Sequence, residues 1–374
     1  MYSVYQHWDP LKTCIVGRSY PPEFYAWIKN TKTRSIFERI AQETEEDYQA
    51  LIKILNKFNV NVLRMYAESD SNTNFKKLSN SYESPPMCPR DLGGMFGSNL
   101  IIDTHSIIRE YSQFKDALWP EVNTYDDFLN LPKDIYTEVV EDFATKYSAS
   151  MVNNIARLAN NNCDVKFTNL PLATASTTRI GKDIFIGDDV SKENQQKCKE
   201  ILGNEYRLTF TGAGSHTDGV FCPVVPGLII SLNDIPTYKD TFPDWEVVYL
   251  PDQSWSKVKS FCDLKEKNKG KWWIPGEEYN DDVIEVVDTW LSKWVGYVEE
   301  TVFDVNMLVI NEKNVIVNNY NKQVFNALER YGVTPHICNF RHRYFWDGGI
   351  HCNTLDLDRE GEMKDYFPER NIIT

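Results

Sequence analysis

Short apolar segments alternate with amphipathic segments along the chain, and this alternation limits the fold more than any other feature. Predicted strands cover residues 11–17, 61–65, 99–103, 163–167, 183–186, 206–210, 228–232, 305–310, 315–317 and 333–338. Predicted helices, with apolar residues every three or four positions, cover residues 35–58, 148–160, 191–202, 282–293 and 321–331. Because no linker or fixed-period repeat interrupts the pattern, residues 1–374 are predicted to form a single α/β domain.

Charge and composition exclude several classes of partner. The formal net charge of −14 argues against binding to nucleic acid or to an anionic membrane. No apolar run approaches the ~18 residues that cross a bilayer, and residues 1–9 lack the features of a secretory signal. The eight cysteines of this long chain are therefore expected to be reduced. These features predict a cytoplasmic protein and do not indicate any particular substrate; a homodimer is possible.

The candidate nucleophile follows a pair of glycines near the C-terminal end. Residues 346–354 read Trp-Asp-Gly-Gly-Ile-His-Cys-Asn-Thr, which places Cys352 directly after His351. Glycines allow a tight turn or a close approach to a ligand. The deprotonated thiol is the nucleophilic form of cysteine, and neighbouring positive charge favours it. Spacing alone does not separate this role from that of a small buried residue, which is what most free cysteines are.

Two further turns carry candidate groups for acid–base chemistry and for charge recognition. In residues 214–219, Gly-Ser-His-Thr-Asp-Gly, His216 lies two residues before Asp218. In residues 88–94, Cys-Pro-Arg-Asp-Leu-Gly-Gly, Asp91 follows Arg90. Both aspartates are also typical of ordinary turns, and His216 could be a structural histidine with satisfied hydrogen bonds.

Taken together and in order, these segments resemble the arginine amidinotransferase family, which includes glycine amidinotransferase and belongs to the guanidino-group-modifying superfamily. The resemblance covers most of the chain. Its motifs are Trp8-Asp9-Pro10-Leu11, Ile15-Val16-Gly17, Pro89-Arg90-Asp91, Arg179-Ile180-Gly181-Lys182-Asp183-Ile184-Phe185, His216-Thr217-Asp218, Val225-Pro226-Gly227 and Gly348-Gly349-Ile350-His351-Cys352-Asn353-Thr354. The combination is specific for the family but not for one substrate.

The resemblance implies a fivefold pseudosymmetric α/β propeller of ββαβ units, a pentein-like fold, with no cofactor. It implies that Cys352 attacks the guanidino carbon of arginine, that ornithine leaves, and that an amine such as glycine accepts the amidino group. His216 would give and take the protons. A guanidinium is planar and rich in N–H donors, so carboxylates bind it well. Asp91 and Asp218 are the candidates, with Arg90 beside them in the substrate site.

Three positions depart from the family pattern. Ser176 replaces the aspartate that orients the catalytic histidine in the family, Ile235 replaces an arginine for the substrate carboxylate, and Glu299 and Glu300 replace a serine pair. Loss of the orienting carboxylate should slow acid–base chemistry; a comparable change in serine proteases costs about four decades of kcat. The other changes should alter the substrate, and the two glutamates favour a cationic acceptor.

Alternatives to transfer stay open at this level. Water could attack the same amidino-cysteine, giving ornithine and urea, or the site could act as a deiminase that gives citrulline and ammonia. A third alternative is a binding protein that has kept the fold and lost turnover. The joint presence of Cys352, His216, Asp218 and Asp91 favours an enzyme.

A metal site is the alternative interpretation of the C-terminal histidines and cysteines. Zinc uses such ligands, and the candidates are His336, Cys338, His342, His351 and Cys352. Their spacing lacks paired Cys-x-x-Cys or His-x-x-x-His motifs, so no metal is predicted. The segment Gly212-Ala213-Gly214 is too short for a phosphate-binding loop and has no strand–glycine–helix context, so no nucleotide cofactor is predicted either.

Overall fold

The computed structural model describes residues 1–65, 77–78, 81–82, 85–103, 151–168, 170, 172–187, 190–211, 216–232, 238–250, 272–291, 304–346 and 348–370. The strands are β1 (Leu11–Val16), β2 (Asn61–Arg64), β3 (Lys77–Leu78), β4 (Ser81–Tyr82), β5 (Gly93–Phe96), β6 (Asn99–Asp103), β7 (Asp164–Thr168), β8 (Thr177–Ile180), β9 (Asp183–Ile186), β10 (Arg207–Phe210), β11 (Phe221–Val225), β12 (Leu228–Ser231), β13 (Glu246–Tyr249), β14 (Leu308–Asn311), β15 (Asn314–Val317), β16 (Thr334–Ile337) and β17 (Thr354–Arg359). The α-helices are α1 (Thr31–Lys57), α2 (Met151–Ala159), α3 (Lys192–Leu202), α4 (Tyr238–Thr241), α5 (Asp281–Trp290), α6 (Lys322–Arg330) and α7 (Arg343–Trp346).

Within these residues the strands form five three-stranded sheets and one short hairpin, β3–β4. The five sheets have the orders β17-β1-β2, β5-β6-β7, β10-β9-β8, β11-β12-β13 and β14-β15-β16. Each sheet pairs two strands antiparallel and adds a third strand parallel to the middle one, after a helix. The predicted propeller of five ββαβ units is confirmed.

The five sheets present equivalent strands to the interior. We call β5, β8, β11, β14 and β17 the inner strands, because nearly all of their residues are buried. The parallel strands at the opposite edges, such as β2, β10 and β13, are mostly partly exposed. Because the pattern of strand and helix repeats around the molecule, the N-terminal ends of the inner strands are the natural place for a shared site.

The longest helix shows how its sequence sets its limits. The Oδ1 atom of Asn30 accepts hydrogen bonds from the backbone N–H groups of Lys32 (3.0 Å) and Thr33 (3.2 Å). This N-cap starts α1 four residues before the predicted helix at residue 35, where the apolar pattern begins. Its buried face, which includes Phe37, packs into a core cluster that also contains Cys14 of β1.

One buried carboxylate joins several sheets. Asp356 of β17 accepts hydrogen bonds from Arg90 (3.0 Å), Arg179 (3.0 Å) and Arg359 (2.7 Å). Burial alone raises the pKa of a carboxyl group, but the three guanidinium groups hold the pKa of Asp356 well below its ordinary value. Arg359 also donates to the carbonyl of Val309 in β14 (2.9 Å), so four units are tied to this cluster.

Candidate active site

Each unit places a short turn directly before its inner strand. Three of these are 3₁₀ turns, namely Pro89–Asp91, Thr174–Ser176 and Thr217–Gly219. The turns before β14 and β17 contain residues 304–306 and 350–352. The side chains that the five turns contribute are Asp91, Ser176, Asp218, Asn306 and Cys352. The structure therefore brings residues from five distant parts of the sequence to equivalent positions in the fold.

Hydrogen bonds connect the five turns in a closed circle, which we call the turn ring. In order, they are Thr174 Oγ1 to Arg90 O (3.0 Å), Thr217 Oγ1 to Ala175 O (3.2 Å), Asn306 Nδ2 to Asp218 O (3.4 Å), His351 N to Asn306 Oδ1 (2.8 Å) and Arg90 Nε to His351 O (3.0 Å). Every turn is thereby held by its two neighbours. A ring of this kind fixes the relative positions of the side chains that it carries.

The sulfur of Cys352 has an amide donor and a carboxylate as neighbours. Its sulfur is 3.0 Å from Nδ2 of Asn306, which donates to it, and 3.4 Å from Oδ2 of Asp218, which can accept the thiol proton. The residue is 2% exposed. This geometry gives the sulfur a defined position, an amide donor that favours the thiolate and a carboxylate that can bind a cation beside it.

Asp218 is held by the histidine that precedes Cys352. Nδ1 of His351 lies 2.7 Å from Oδ2 of Asp218, and both side chains are buried. Burial and the charge of Arg90 lower the pKa of His351 to about 4, against the opposing effect of Asp218. Burial alone would raise the pKa of Asp218, but the hydrogen bond and charge of His351 outweigh it and lower this pKa to about 2. At neutral pH the pair is therefore a neutral imidazole donating to a carboxylate.

This pairing makes stability depend on pH. In the unfolded chain His351 binds a proton below about pH 6.5, whereas in the folded protein it stays neutral down to about pH 4. The free energy of unfolding should therefore fall as the pH drops from about 6.5 to 4, by at most about 1.4 kcal/mol per pH unit from this residue. We expect His351→Gln, which keeps a donor without a titrating ring, to show a shallower loss in urea unfolding between pH 7 and 5.

A second buried histidine, present in both proteins, serves as the internal reference for this experiment. The pKa of His7 is also lowered by burial, and that residue is present in both proteins, so a residual slope is expected in the variant. Equal slopes for wild type and His351→Gln would show that His351 titrates in the folded protein as it does in the unfolded chain.

His216 and Asp91 form the more accessible part of the site. The Nδ1 atom of His216 lies 3.8 Å from Oδ1 of Asp91, and their side chains are 21% and 22% exposed. This separation is longer than a hydrogen bond, and the attraction is electrostatic when the ring is protonated. The carboxylate near His216 therefore comes from the turn of Asp91.

Ser176 does not hold the ring of His216. Its hydroxyl oxygen is buried and has no hydrogen-bond partner among the described residues, while its carbonyl accepts from Gly187 N (2.9 Å). The hydroxyl of Ser176 therefore does not hydrogen-bond the ring of His216, and a catalytic role for Ser176 stays a prediction. The carboxylate of Asp183, seven residues after Ser176, is fully buried and accepts a hydrogen bond from Arg207 (2.7 Å).

The remaining predicted substrate residues divide into two groups. Arg90 is buried, and its guanidinium donates to Asp356 and to the carbonyl of His351. Through these contacts Arg90 supports the turn of Cys352, and its predicted contact with substrate stays a prediction. Ile235, Glu299 and Glu300 lie outside the described residues.

The residues of the zinc interpretation are held by separate partners. His336 contacts Asn314 (2.9 Å), and His342 contacts Glu43 of α1. The sulfur of Cys338 lies 3.8 Å from the carbonyl of Asp47, also in α1. In the described part of the chain, no group of three or more His, Cys, Asp or Glu side chains is arranged to bind a metal. The helices described there also include none with the length and apolar character to span a bilayer.

The sequence motifs did not indicate that Asn306 lies beside the sulfur of Cys352 or that His351 is the partner of Asp218. Asn306 stands two residues before β14, as Asp91 stands two residues before β5 and Cys352 two before β17. That equivalence across the units was the available signal, but it requires the positions of the inner strands. His351 was considered only as a metal ligand, because nothing in its local sequence indicates a contact with Asp218.

Comparisons with known proteins confirm the family resemblance. No protein-family model matches the chain. Inosamine-phosphate amidinotransferase 1 of Streptomyces glaucescens is 22% identical over 402 residues, covering 98% of this chain and 99% of that protein. The mitochondrial glycine amidinotransferase of Gallus gallus is 22% identical over 97% of this chain and 84% of its own length. The chain is thus similar to amidinotransferases along nearly its whole length.

Solved structures give the same fold. An amidinotransferase from the saxitoxin biosynthetic pathway of Microseira wollei aligns with a TM-score of 0.58 and 16% identity, covering 98% of this chain and 99% of the other. The inosamine-phosphate amidinotransferase of Streptomyces griseus aligns with a TM-score of 0.56 and 19% identity over the same shares. The five-unit architecture is therefore shared from end to end.

Proposed function

We propose that residues 1–374 form one catalytic domain that transfers the amidino group of arginine to an amine through a covalent bond to Cys352. The observation that carries this proposal is the position of the Cys352 sulfur, 3.4 Å from the carboxylate of Asp218 within the turn ring. A nucleophile beside a buried, ionised carboxylate suits a cationic substrate. The full-length similarity to amidinotransferases supports the same reaction class.

The proposed reaction has two steps. In the first, the thiolate of Cys352 adds to the guanidino carbon, the bond from that carbon to the side-chain nitrogen of arginine breaks, and His216 protonates the leaving ornithine amine. In the second, His216 takes a proton from the acceptor amine, whose nitrogen attacks the amidino carbon while the carbon–sulfur bond breaks. Asp91 and Asp218 hold the positive charge of the amidino group throughout.

Product analysis tests the proposal directly. The purified protein is incubated with arginine alone and with a panel of amines that includes glycine, lysine and a diamine. Transfer predicts ornithine together with the amidinated form of at least one amine. Urea with ornithine would indicate hydrolysis, and citrulline with ammonia would indicate a deiminase. Absence of any arginine-derived product, with the fold intact, would overturn the proposal.

Hydrolysis is the second candidate function, and Ser176 is the observation that favours it. Position 176 carries no carboxylate, and Oδ1 of Asp91 lies 3.8 Å from Nδ1 of His216, beyond hydrogen-bond distance, so the protonated ring has weaker support than in a site where a carboxylate is hydrogen-bonded to it. A less basic histidine deprotonates an ammonium-type acceptor less well but can still activate water. Water as the acceptor would use the same amidino-cysteine.

Ser176→Asp should shift the balance between these outcomes. A carboxylate next to His216 favours imidazolium, so the pKa of His216 should rise and its limb of the kcat/KM profile should move to higher pH. Transfer should also increase relative to hydrolysis, measured as amidinated amine against urea. Ser176→Asn, similar in size to Asp but uncharged, is the control and should move the limb less. An unmoved limb and an unchanged product ratio in Ser176→Asp would show that position 176 does not influence His216.

The sequence departures define the proposed acceptor. Glu299 and Glu300 favour a cationic amine, and Ile235 removes the charge that would bind a substrate carboxylate. A diamine is therefore expected to exceed glycine in the panel. A cytoplasmic location and a homodimeric state stay predictions of the sequence, to be tested by cell fractionation and by light scattering.

A further inference from the structure

Asn306 is buried within the turn ring, and each of its polar atoms has a defined use. Its Nδ2 atom donates to the sulfur of Cys352 at 3.0 Å and lies 3.4 Å from the carbonyl of Asp218. Its Oδ1 atom accepts from the backbone N–H of His351 at 2.8 Å and lies 3.4 Å from the backbone N of Cys352. The side chain is completely buried. One amide thus connects the nucleophile with the backbone that carries it.

The orientation of this amide is fixed by its partners. Backbone N–H groups only donate, so the atom facing the N–H groups of His351 and Cys352 must be the oxygen. The nitrogen then faces the sulfur with an N–H group. The backbone of Asn306 is held as well, because its carbonyl accepts from Nδ2 of Asn318 at 3.0 Å. If the oxygen and nitrogen of the amide were exchanged, its NH₂ group would face the backbone N–H groups of His351 and Cys352, and donors would meet donors.

Gly349, the second of the two glycines before Cys352, makes this contact possible. A Cβ atom at Gly349 would lie 2.4 Å from Oδ1 of Asn306, which is far inside van der Waals contact. Any other residue at this position would push the Asn306 side chain away from the sulfur. The position of the Asn306 side chain beside the sulfur therefore depends on the glycine at position 349.

We propose that Asn306 is a catalytic residue that donates a hydrogen bond from its side-chain amide to the thiolate of Cys352 and so sets the fraction of this cysteine in the nucleophilic form. The proposal deepens the proposed function and rests on it for the role of Cys352 in turnover. Asp218, 3.4 Å from the same sulfur, opposes ionisation of the thiol by its negative charge. The N–H group that Asn306 donates to the sulfur offsets that effect.

The test is the pH dependence of Cys352 alkylation by iodoacetamide, which needs no arginine. Trypsin cleavage after Arg343 and Arg359 releases residues 344–359, in which Cys352 is the only cysteine, so mass spectrometry reports this thiol alone. Asn306→Asp keeps an acceptor for the two backbone N–H groups and replaces the donor by a carboxylate oxygen, whose negative charge also raises the pKa of the thiol. We expect the midpoint of the alkylation rate to rise by roughly one pH unit or more. Asn306→Ala removes the donor without adding a charge, so a shift of its midpoint in the same direction assigns the effect to the lost hydrogen bond.

The control is Asn154→Asp, which introduces the same chemical change at another buried asparagine, in α2. Its midpoint should match that of the wild type. A purely structural disturbance changes the maximal alkylation rate through access to the sulfur, whereas loss of the donor moves the midpoint. If folded Asn306→Asp or Asn306→Ala has the wild-type midpoint, the proposal is overturned.

A measurement on the wild type covers the case in which both variants fail to fold. With ¹⁵N-labelled asparagine, one side-chain amide should shift with the same midpoint as Cys352 alkylation and stop shifting in Cys352→Ala. No such amide signal would overturn the role of Asn306. A shifted midpoint without any product from arginine would instead support Asn306 and overturn the proposed substrate.

Discussion

Replacing Cys352 with alanine should abolish turnover of arginine while the protein keeps its fold. The proposed reaction passes through a covalent bond to this sulfur, and enzymes that lose their nucleophile typically lose several decades of kcat. Alanine leaves the turn ring intact, because the ring uses the backbone of His351 and the side chain of Asn306. The measurement is ornithine release under saturating arginine, together with circular dichroism of both proteins.

The control for this prediction is a different buried cysteine. Burial raises the pKa of Cys338 to about 12, so this thiol is protonated and unreactive at neutral pH. Cys338→Ala should therefore keep activity. In wild type quenched during turnover, mass spectrometry should find the amidino adduct on residues 344–359. Near-normal activity of Cys352→Ala would end the covalent hypothesis.

Replacing Asp218 with asparagine should have the next largest effect. The change keeps the shape of the side chain but removes the buried negative charge proposed to face the guanidinium. Breaking a buried ion pair costs about 3–5 kcal/mol, which corresponds to roughly two to four decades in kcat/KM. The other carboxylate oxygen, Oδ1, is buried and has no hydrogen-bond partner among the described residues, so it is available for a substrate N–H group. We expect kcat/KM for arginine to fall accordingly.

Two further variants serve as comparisons for the loss of kcat/KM in Asp218→Asn. Asp91→Asn removes the more exposed carboxylate, and its effect should be smaller because solvent screens the charge. Asp358→Asn in β17 is the control, since this partly buried aspartate accepts a hydrogen bond from the backbone N–H of Ser3 (3.1 Å), outside the turn ring. Unchanged kcat/KM in both Asp218→Asn and Asp91→Asn would show that the guanidinium is not held by these two residues.

The hydrophobic pattern of the sequence predicted the middle strands of the sheets better than the inner strands. Strands such as β6 and β9 were predicted with their observed limits, because they are continuous apolar runs. The inner strands β5, β8, β11 and β17 were missed. β5 begins with two glycines, β11 contains a proline, and β8 and β17 bury charged residues of the Asp356 cluster. Hydrophobic patterns do not indicate a strand whose buried side chains are ions paired with other sheets.

In the candidate site, too, local motifs indicated individual residues but not the contacts between residues that are distant in the sequence. The motifs predicted Cys352 and Asp218, and the structure places them 3.4 Å apart. The hydrogen-bond partners within the site could not be predicted, because they come from different units. His351 contacts Asp218, and Asn306 contacts the sulfur of Cys352. The catalytic role predicted for Ser176 came from alignment to a family position rather than from distance, and its hydroxyl has no hydrogen-bond partner among the described residues.

The pairing of β17 with β1 has a consequence for the order in which the protein becomes reactive. These are the last and first of the described strands, and their antiparallel pairing closes the circle of sheets. Cys352 stands two residues before β17. During synthesis the turns with Asp91, Ser176, Asp218 and Asn306 leave the ribosome first, and the thiol follows them. The carboxylates of Asp91 and Asp218 are therefore synthesised before the thiol, and the pairing of β17 with β1 is the contact that fixes the backbone next to Cys352.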